Sequence, residues 1–189
     1  MFDNIKILVV VVFLCVFFSI NPLFATEFGN TGFSGNPGTN GGANCSVCHV
    51  PAAPKSSVIL SGPSLVQAGQ TYNYAVTVQG GPGIAAGVNI STSGAIGLLS
   101  PIVSDLSLIG RELTHVKPKA MVSNQAVFRF RWTAPTYNKT VILFAAGNST
   151  DGKHNLLGDN TSSASLLLKW STVQPRRCLL SQNRLPLLH

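Results

Sequence analysis

The sequence predicts an all-β protein, an immunoglobulin-like β-sandwich of about seven to nine short strands. Runs of alternating or continuous apolar residues recur along the chain, and glycines and prolines separate them at near-regular spacing. No stretch has a convincing helical period. The clearest strand covers residues 126–133, where Phe128, Phe130 and Trp132 face one side and the arginines between them face the other. A strand with one apolar face fits a sheet that packs against a second sheet.

The other strands are predicted from the same two patterns. Residues 71–78 alternate, with an aromatic or apolar side chain at every second position, and the continuously apolar run 140–146 is typical of a central sandwich strand. Glycine and asparagine dominate residues 147–160, which predicts a loop. The remaining predicted strands, of which two are interrupted by Pro101 or Gly110, cover residues 57–61, 84–91, 95–103, 106–116 and 164–170.

Four segments make up the predicted organisation, with no internal repeat and no second domain. Residues 1–25 resemble a signal peptide, with an apolar run at 7–20 and a candidate cleavage site after Ala25. Leu23 is not the small residue preferred before such a site, so an uncleaved anchor stays an alternative. Residues 26–55 are a glycine-rich segment, expected to be irregular backbone or, at 26–36, a flexible spacer. Residues 56–170 form the sandwich, and 171–189 are expected to be a disordered tail without a membrane span.

Charge and motif content exclude several classes of function. The formal net charge is +7, but the basic residues are scattered and no block of them alternates with aromatic residues, so we expect no nucleic-acid partner. The few carboxylates have no spacing that suggests a paired acid and base, and hydrolase or nucleotide-binding signatures are absent. Asp151 and Asp159 share the predicted loop with three asparagines. These polar side chains could form a calcium site, but we favour hydrogen bonds to the loop's own backbone turns.

The most informative motif is Cys-Ser-Val-Cys-His at residues 45–49, a C-x-x-C-H sequence behind an export signal. In this pattern Cys45 and Cys48 bind the two vinyl groups of one covalent haem c, and His49 is the proximal ligand of its iron. Oxidation of the two thiols to a disulfide is an alternative in an exported protein. A zinc site is a further one, for which the sequence has no second ligand pair. Cys178 is left as a lone thiol in the tail.

The sixth position on the iron would decide the chemistry, because a second strong ligand gives an electron carrier and an open position permits peroxidase-like activity. His115, near the end of a predicted strand, is our preferred distal ligand, although it can equally be an ordinary surface or core histidine. Met121 and His154 are the alternatives. We therefore expect no enzyme unless that position is open.

Several short runs along the chain together resemble one bacterial family. They are Ser34-Gly35, Pro37-Gly38, the motif at 45–49, Ala68-Gly69-Gln70-Thr71-Tyr72, Thr114-His115, Trp132-Thr133-Ala134-Pro135, Phe144-Ala145-Ala146-Gly147-Asn148 and Gly158-Asp159. With these runs, the chain is similar to the reeler-type domain, also described as the choice-of-anchor V domain, over roughly residues 33–170. That resemblance implies an immunoglobulin-like sandwich like the reelin amino-terminal domain, a haem motif ahead of it, and an anchoring tail, although residues 171–189 contain no apolar anchor helix.

Two functional hypotheses follow. The first is an exported monohaem c-type cytochrome module that passes single electrons to redox partner proteins in the periplasm or at the cell surface. The second is a haem-free surface or adhesion domain in which Cys45 and Cys48 form a disulfide. The two hypotheses differ in whether a covalent cofactor is present.

Overall fold

A computed structural model describes residues 27–51 and 54–171, and it consists mainly of β-strands. Among these described residues, nine strands have four residues or more, which confirms the predicted sandwich and its strand number, and three further strands are two-residue pairings. The strands are β1 (Val50–Pro51), β2 (Ser56–Ser61), β3 (Leu65–Val66), β4 (Thr71–Gly80), β5 (Ala85–Thr92), β6 (Leu98–Pro101), β7 (Leu106–Ile109), β8 (Glu112–His115), β9 (Lys119–Ala120), β10 (Gln125–Thr133), β11 (Val141–Thr150) and β12 (Leu157–Trp170). Short 3₁₀ turns cover Asn40–Gly42, Cys45–Val47 and Ser93–Ala95.

The strands form two sheets, most of whose pairings are antiparallel. The smaller sheet has the order β2-β4-β10-β6, and the larger has the order β1-β12-β11-β5-β8-β7, with β3 paired to β12 and β9 paired to β5. The continuously apolar strand β11 lies between β5 and β12, as predicted for a central strand. The architecture is that of an immunoglobulin-like sandwich.

The hydrophobic core lies between the two sheets. Phe128, Phe130 and Trp132 of β10 are fully buried, and the alternating side chains of β4 pack beside them. The larger sheet approaches closely at Gly147, where a Cβ atom would lie 2.6 Å from Cγ2 of Val78. The alternation predicted for 71–78 and 126–133 is therefore confirmed, with the arginines of β10 on its exposed face.

The amino-terminal segment packs on the outer face of the larger sheet. The amide of Phe33 donates to Oδ1 of Asn89 at 2.8 Å, and the side chain of Asn36 donates to Oγ of Ser91 at 3.0 Å. Because this segment covers them, Asn89 and Ser91 are buried although they point away from the core. The segment is irregular, as expected, but the flexible-spacer alternative is wrong for residues 27–36 because they are bonded to the sheet.

Other predictions need correction. The predicted loop at 147–160 is wrong at both ends, because β11 continues to Thr150 and β12 begins at Leu157, and Ser149 pairs with Asn160. The predicted strand 95–103 shortens to β6, and 106–116 divides into a β7–β8 hairpin at Gly110. The signal peptide and the tail beyond residue 171 lie outside the described residues. Within the described residues, no helix has the length and apolar character needed to cross a bilayer.

Candidate functional site

A half-open cleft lies where the amino-terminal segment meets the outer face of the larger sheet. It encloses about 180 Å³, and about 850 Å³ when the solvent-filled mouth is included. Its floor contains Gly87 of β5 and Asn148 of β11, which are direct cross-strand neighbours. The cleft is lined by Phe28, Asn30, Phe33, Cys45, Cys48, His49, Gly87, Val88, Asn89, His115, Pro118, Asn148, Thr150 and Leu156. All three motif residues and the predicted distal histidine therefore share one cleft.

One 3₁₀ turn presents the two cysteines. Oδ1 of Asn44 accepts from the amide of Ser46 at the start of this turn, and the amide of His49 donates to the carbonyl of Cys45 at 3.0 Å. Both cysteines are free and half-buried, so the disulfide of the alternative interpretation is not formed in this structure. Burial, with a smaller contribution from the neighbouring Cys48, raises the pKa of the Cys45 thiol to about 12, although a backbone hydrogen bond opposes part of the rise. A neutral thiol resists oxidation because the thiolate is the reactive form.

We expect Cys45 to react slowly with alkylating reagents in the folded, haem-free chain. At about pH 8, a rise of the pKa from 9.0 to about 12 lowers the thiolate fraction, and with it the alkylation rate, roughly a thousandfold. The measurement is iodoacetamide labelling of a Cys178→Ser chain, with the label on Cys45 quantified by peptide mass spectrometry. The same chain in urea is the control, and equal rates in the two conditions would contradict the burial of this thiol.

His49 is hydrogen bonded to a buried carboxylate. Its Nδ1 lies 2.6 Å from Oδ2 of Asp159, whose side chain is 2% exposed. Asn148 lies beside both, with Nδ2 3.0 Å from Nδ1 of His49 and 3.2 Å from Oδ2 of Asp159. Because Nδ1 of His49 is bonded to the carboxylate, Nε2 is the ring nitrogen left for a ligand. Across residues 27–51 and 54–171, this Nε2 has no hydrogen-bond partner.

His115 occupies the same cleft from the end of β8. Its Nδ1 lies 3.1 Å from both the amide nitrogen and the carbonyl oxygen of Val88. Burial lowers the pKa of His115, the nearby His49 lowers it further, and the bond to Val88 partly opposes this. A neutral imidazole that donates Nδ1–H to a carbonyl keeps a lone pair on Nε2, which is the form that binds metals.

The position of the His115 ring depends on the absence of a side chain at Gly87. A Cβ atom at residue 87 would lie 2.6 Å from Cε1, 2.9 Å from Nε2 and 3.0 Å from Nδ1 of that ring. Cβ atoms in proteins do not come that close to other atoms, so the ring can occupy this position only because residue 87 is a glycine. The amino-terminal segment lines the same cleft with Phe28, Asn30 and Phe33.

The other two distal candidates lie elsewhere. Met121 packs beside the core, where its sulfur lies 3.4 Å from Oγ of Ser149. His154 is exposed in the turn between β11 and β12, and its Nδ1 lies 2.7 Å from Oε1 of Glu27. Neither residue lines the cleft. Of the three predicted candidates, only His115 does.

The carboxylates and amides that could form a calcium site at 147–160 are hydrogen bonded to other groups of the protein. Oδ1 of Asp151 accepts from the amide of Lys153, and Oδ1 of Asn155 accepts from the amide of Leu157. These bonds are the local turns that the sequence favoured. Among the described residues, no group of three or more His, Cys, Asp or Glu side chains is arranged to hold a bare metal ion.

The fold and the cleft together define the class of protein: an all-β sandwich with two free thiols and two imidazoles in one apolar cleft. No protein-family model matches the chain, and no curated protein does. Solved structures match only weakly, and this chain covers most of each.

Three of these structures are sandwich or related domains. The CARDB domain of the PF1109 protein from Pyrococcus furiosus, solved with di-metal ions, is 19% identical over 62% of this chain and 89% of its own, with a TM-score of 0.36. The PKD domain of an M14-like peptidase from a Thermoplasmatales archaeon is 15% identical over 62% and 98%, with a TM-score of 0.37. The bacterial hydrophobin BslA is 7% identical over 65% and 100%, with a TM-score of 0.41.

Proposed function

We propose that this chain is an exported monohaem c-type cytochrome module that carries single electrons. The observation that supports it most is the meeting of the C-x-x-C-H turn with His115 in one cleft. Cys45 and Cys48 would hold the haem by thioether bonds, and His49 would bind its iron. When bound, the haem supplies one-electron exchange between ferric and ferrous iron.

The residues present fit such a group. Both thiols are free, lie on one turn and share the cleft with His49. Most of the cleft wall is apolar, as around a flat hydrophobic macrocycle. The enclosed volume of about 180 Å³ is below the range of roughly 300–1,000 Å³ usual for small-molecule pockets, so a macrocycle here would also occupy the open mouth. A haem that is partly exposed at the mouth of the cleft would suit electron exchange with another protein.

His115 would be the second imidazole that holds the iron in this proposal. It is neutral near pH 7, because burial lowers its pKa, and its Nδ1 is engaged with Val88. With both His49 and His115 as ligands, the iron would have no open position for peroxide, which would favour electron transfer over peroxidase-like activity. The function is therefore that of a carrier rather than an enzyme.

The setting of this function is proposed from the sequence. An export signal ahead of a haem attachment motif suits the periplasm or the cell surface, because haem is normally attached to such motifs outside the cytoplasm. Redox proteins of that compartment would be the partners. We propose further that the sandwich is a reeler-type, choice-of-anchor V domain, on the sequence runs given above.

Covalent haem is the direct test. The full chain, expressed with a cytochrome c maturation system, should yield one haem per chain that resists acid–acetone extraction. A Cys45→Ala, Cys48→Ala variant should lose it, while Cys178→Ala, which removes a cysteine outside the motif, should keep it. A colourless wild-type protein would overturn the proposal and favour the haem-free surface domain.

A further inference from the structure

Asp159 contacts His49 at Nδ1, the ring nitrogen opposite the one left for a ligand. The role inferred for Asp159 rests on the proposed haem function. The residue lies on β12, 110 positions from His49 in sequence, and its Oδ2 is 2.6 Å from Nδ1 of the imidazole. Its side chain is 2% exposed. Burying a carboxylate this deeply is costly unless hydrogen bonds compensate for the lost water.

Three donors provide that compensation. Nδ1 of His49 and Nδ2 of Asn148 both donate to Oδ2, at 2.6 and 3.2 Å, and the amide of Asp151 donates to Oδ1 at 3.1 Å. Asn148 and Asp159 come from the paired strands β11 and β12, so backbone pairing fixes their separation. The carboxylate is therefore held rigidly behind the imidazole.

The contact between Asn148 and His49 depends on the proton at Nδ1. Nδ1 of His49 carries one proton, and the short distance of 2.6 Å indicates that it donates this proton to Oδ2 of Asp159. Nδ1 therefore cannot also accept from Nδ2 of Asn148, although the two atoms are 3.0 Å apart. The amide donates to the carboxylate instead. Asn148 thus fixes Asp159, and Asp159 fixes the tautomer and orientation of His49.

We propose that Asp159 is a positioning residue that lowers the reduction potential of the iron bound by His49. A carboxylate that accepts Nδ1–H makes the imidazole a stronger electron donor through Nε2. A stronger donor stabilises ferric iron more than ferrous iron. In the couple, ferric iron gains one electron from a partner redox protein to become ferrous, and the Nδ1 proton stays on His49.

An Asp159→Asn variant tests this in the holoprotein. Partners in the second layer around a metal typically contribute 10–100-fold to its binding. A tenfold loss of preference for ferric iron raises the potential of a one-electron couple by about 59 mV. Spectroelectrochemical titration should show a rise of this size, with thioether-bound haem still at one per chain. The control is Asp105→Asn, which removes a partly buried carboxylate that is paired with Lys119, does not line the cleft and is not hydrogen bonded to His49 or Asp159.

Asn148→Ala provides a second variant should Asp159→Asn fail to fold. It removes a donor from Asp159 and so leaves the carboxylate a stronger acceptor for the His49 proton. The potential should therefore fall, opposite in sign to the first variant. A contact that only ties the motif to the sandwich would move neither potential. An unchanged potential in a haem-loaded variant would overturn the role of Asp159, whereas a haem-free wild type would overturn the proposed function itself.

Discussion

Replacement of Gly87 by alanine is expected to remove His115 from the iron in the haem-loaded protein. The new Cβ atom would lie 2.6 Å from Cε1 of the imidazole, well inside contact distance, so the ring must leave its place. Its bond to Val88 would be lost with it. We expect the spectrum to change from low-spin to high-spin, and carbon monoxide to bind where it does not in the wild type.

Two further variants isolate the cause. His115→Ala should reproduce the Gly87→Ala spectrum, because both leave the sixth position open. Gly38→Ala is the matched control, since its Cβ would meet only Oδ1 of Asn36, at 3.4 Å, and Gly38 does not line the cleft. A Gly87→Ala protein that stays low-spin while His115→Ala becomes high-spin would show that the ring does not depend on this glycine.

The local features of this site could be predicted from the sequence. The motif at residues 45–49 places two thiols and an imidazole on one turn, and that depends only on neighbouring residues. The alternation in β4 and β10 is equally local, because a two-residue period is a property of one strand. The predicted alternation agrees with the structure for this reason.

The non-local features could not be predicted. The sequence predicts a loop at Asn148 and Asp159 because glycine and asparagine surround them, yet Asn148 pairs with Thr161 and Gly87, and Asp159 pairs with Pro51. Gly87 was seen as part of a small-residue strand, without its contact to His115. Asn148 and Asp159 do belong to the runs that carry the family resemblance. The polar residues within these runs are the one sequence feature that could have pointed to Asp159 as the hydrogen-bond partner of His49.

Truncation of Trp132 is expected to cost more stability than any other change considered for the sandwich. The indole is fully buried in the core, and its Nε1 donates to the carbonyl of Ile96 at 3.0 Å. Removing a buried tryptophan side chain typically costs about 3–5 kcal/mol, and the orphaned carbonyl adds to this. Domains of this size are stable by only about 5–15 kcal/mol, so Trp132→Ala should lose a large share of the free energy of unfolding.

Urea unfolding of the haem-free Cys45→Ala, Cys48→Ala chain measures this effect without any stabilisation by a bound cofactor. Trp132→Phe keeps most of the ring volume and loses the hydrogen bond, so its cost should be nearer 1 kcal/mol. Arg131→Ala lies on the same strand but on its exposed face, and should stay within about 0.5 kcal/mol of the parent. Equal losses for Arg131→Ala and Trp132→Ala would contradict the assignment of the two faces of β10, because only one of those faces contacts the opposite sheet.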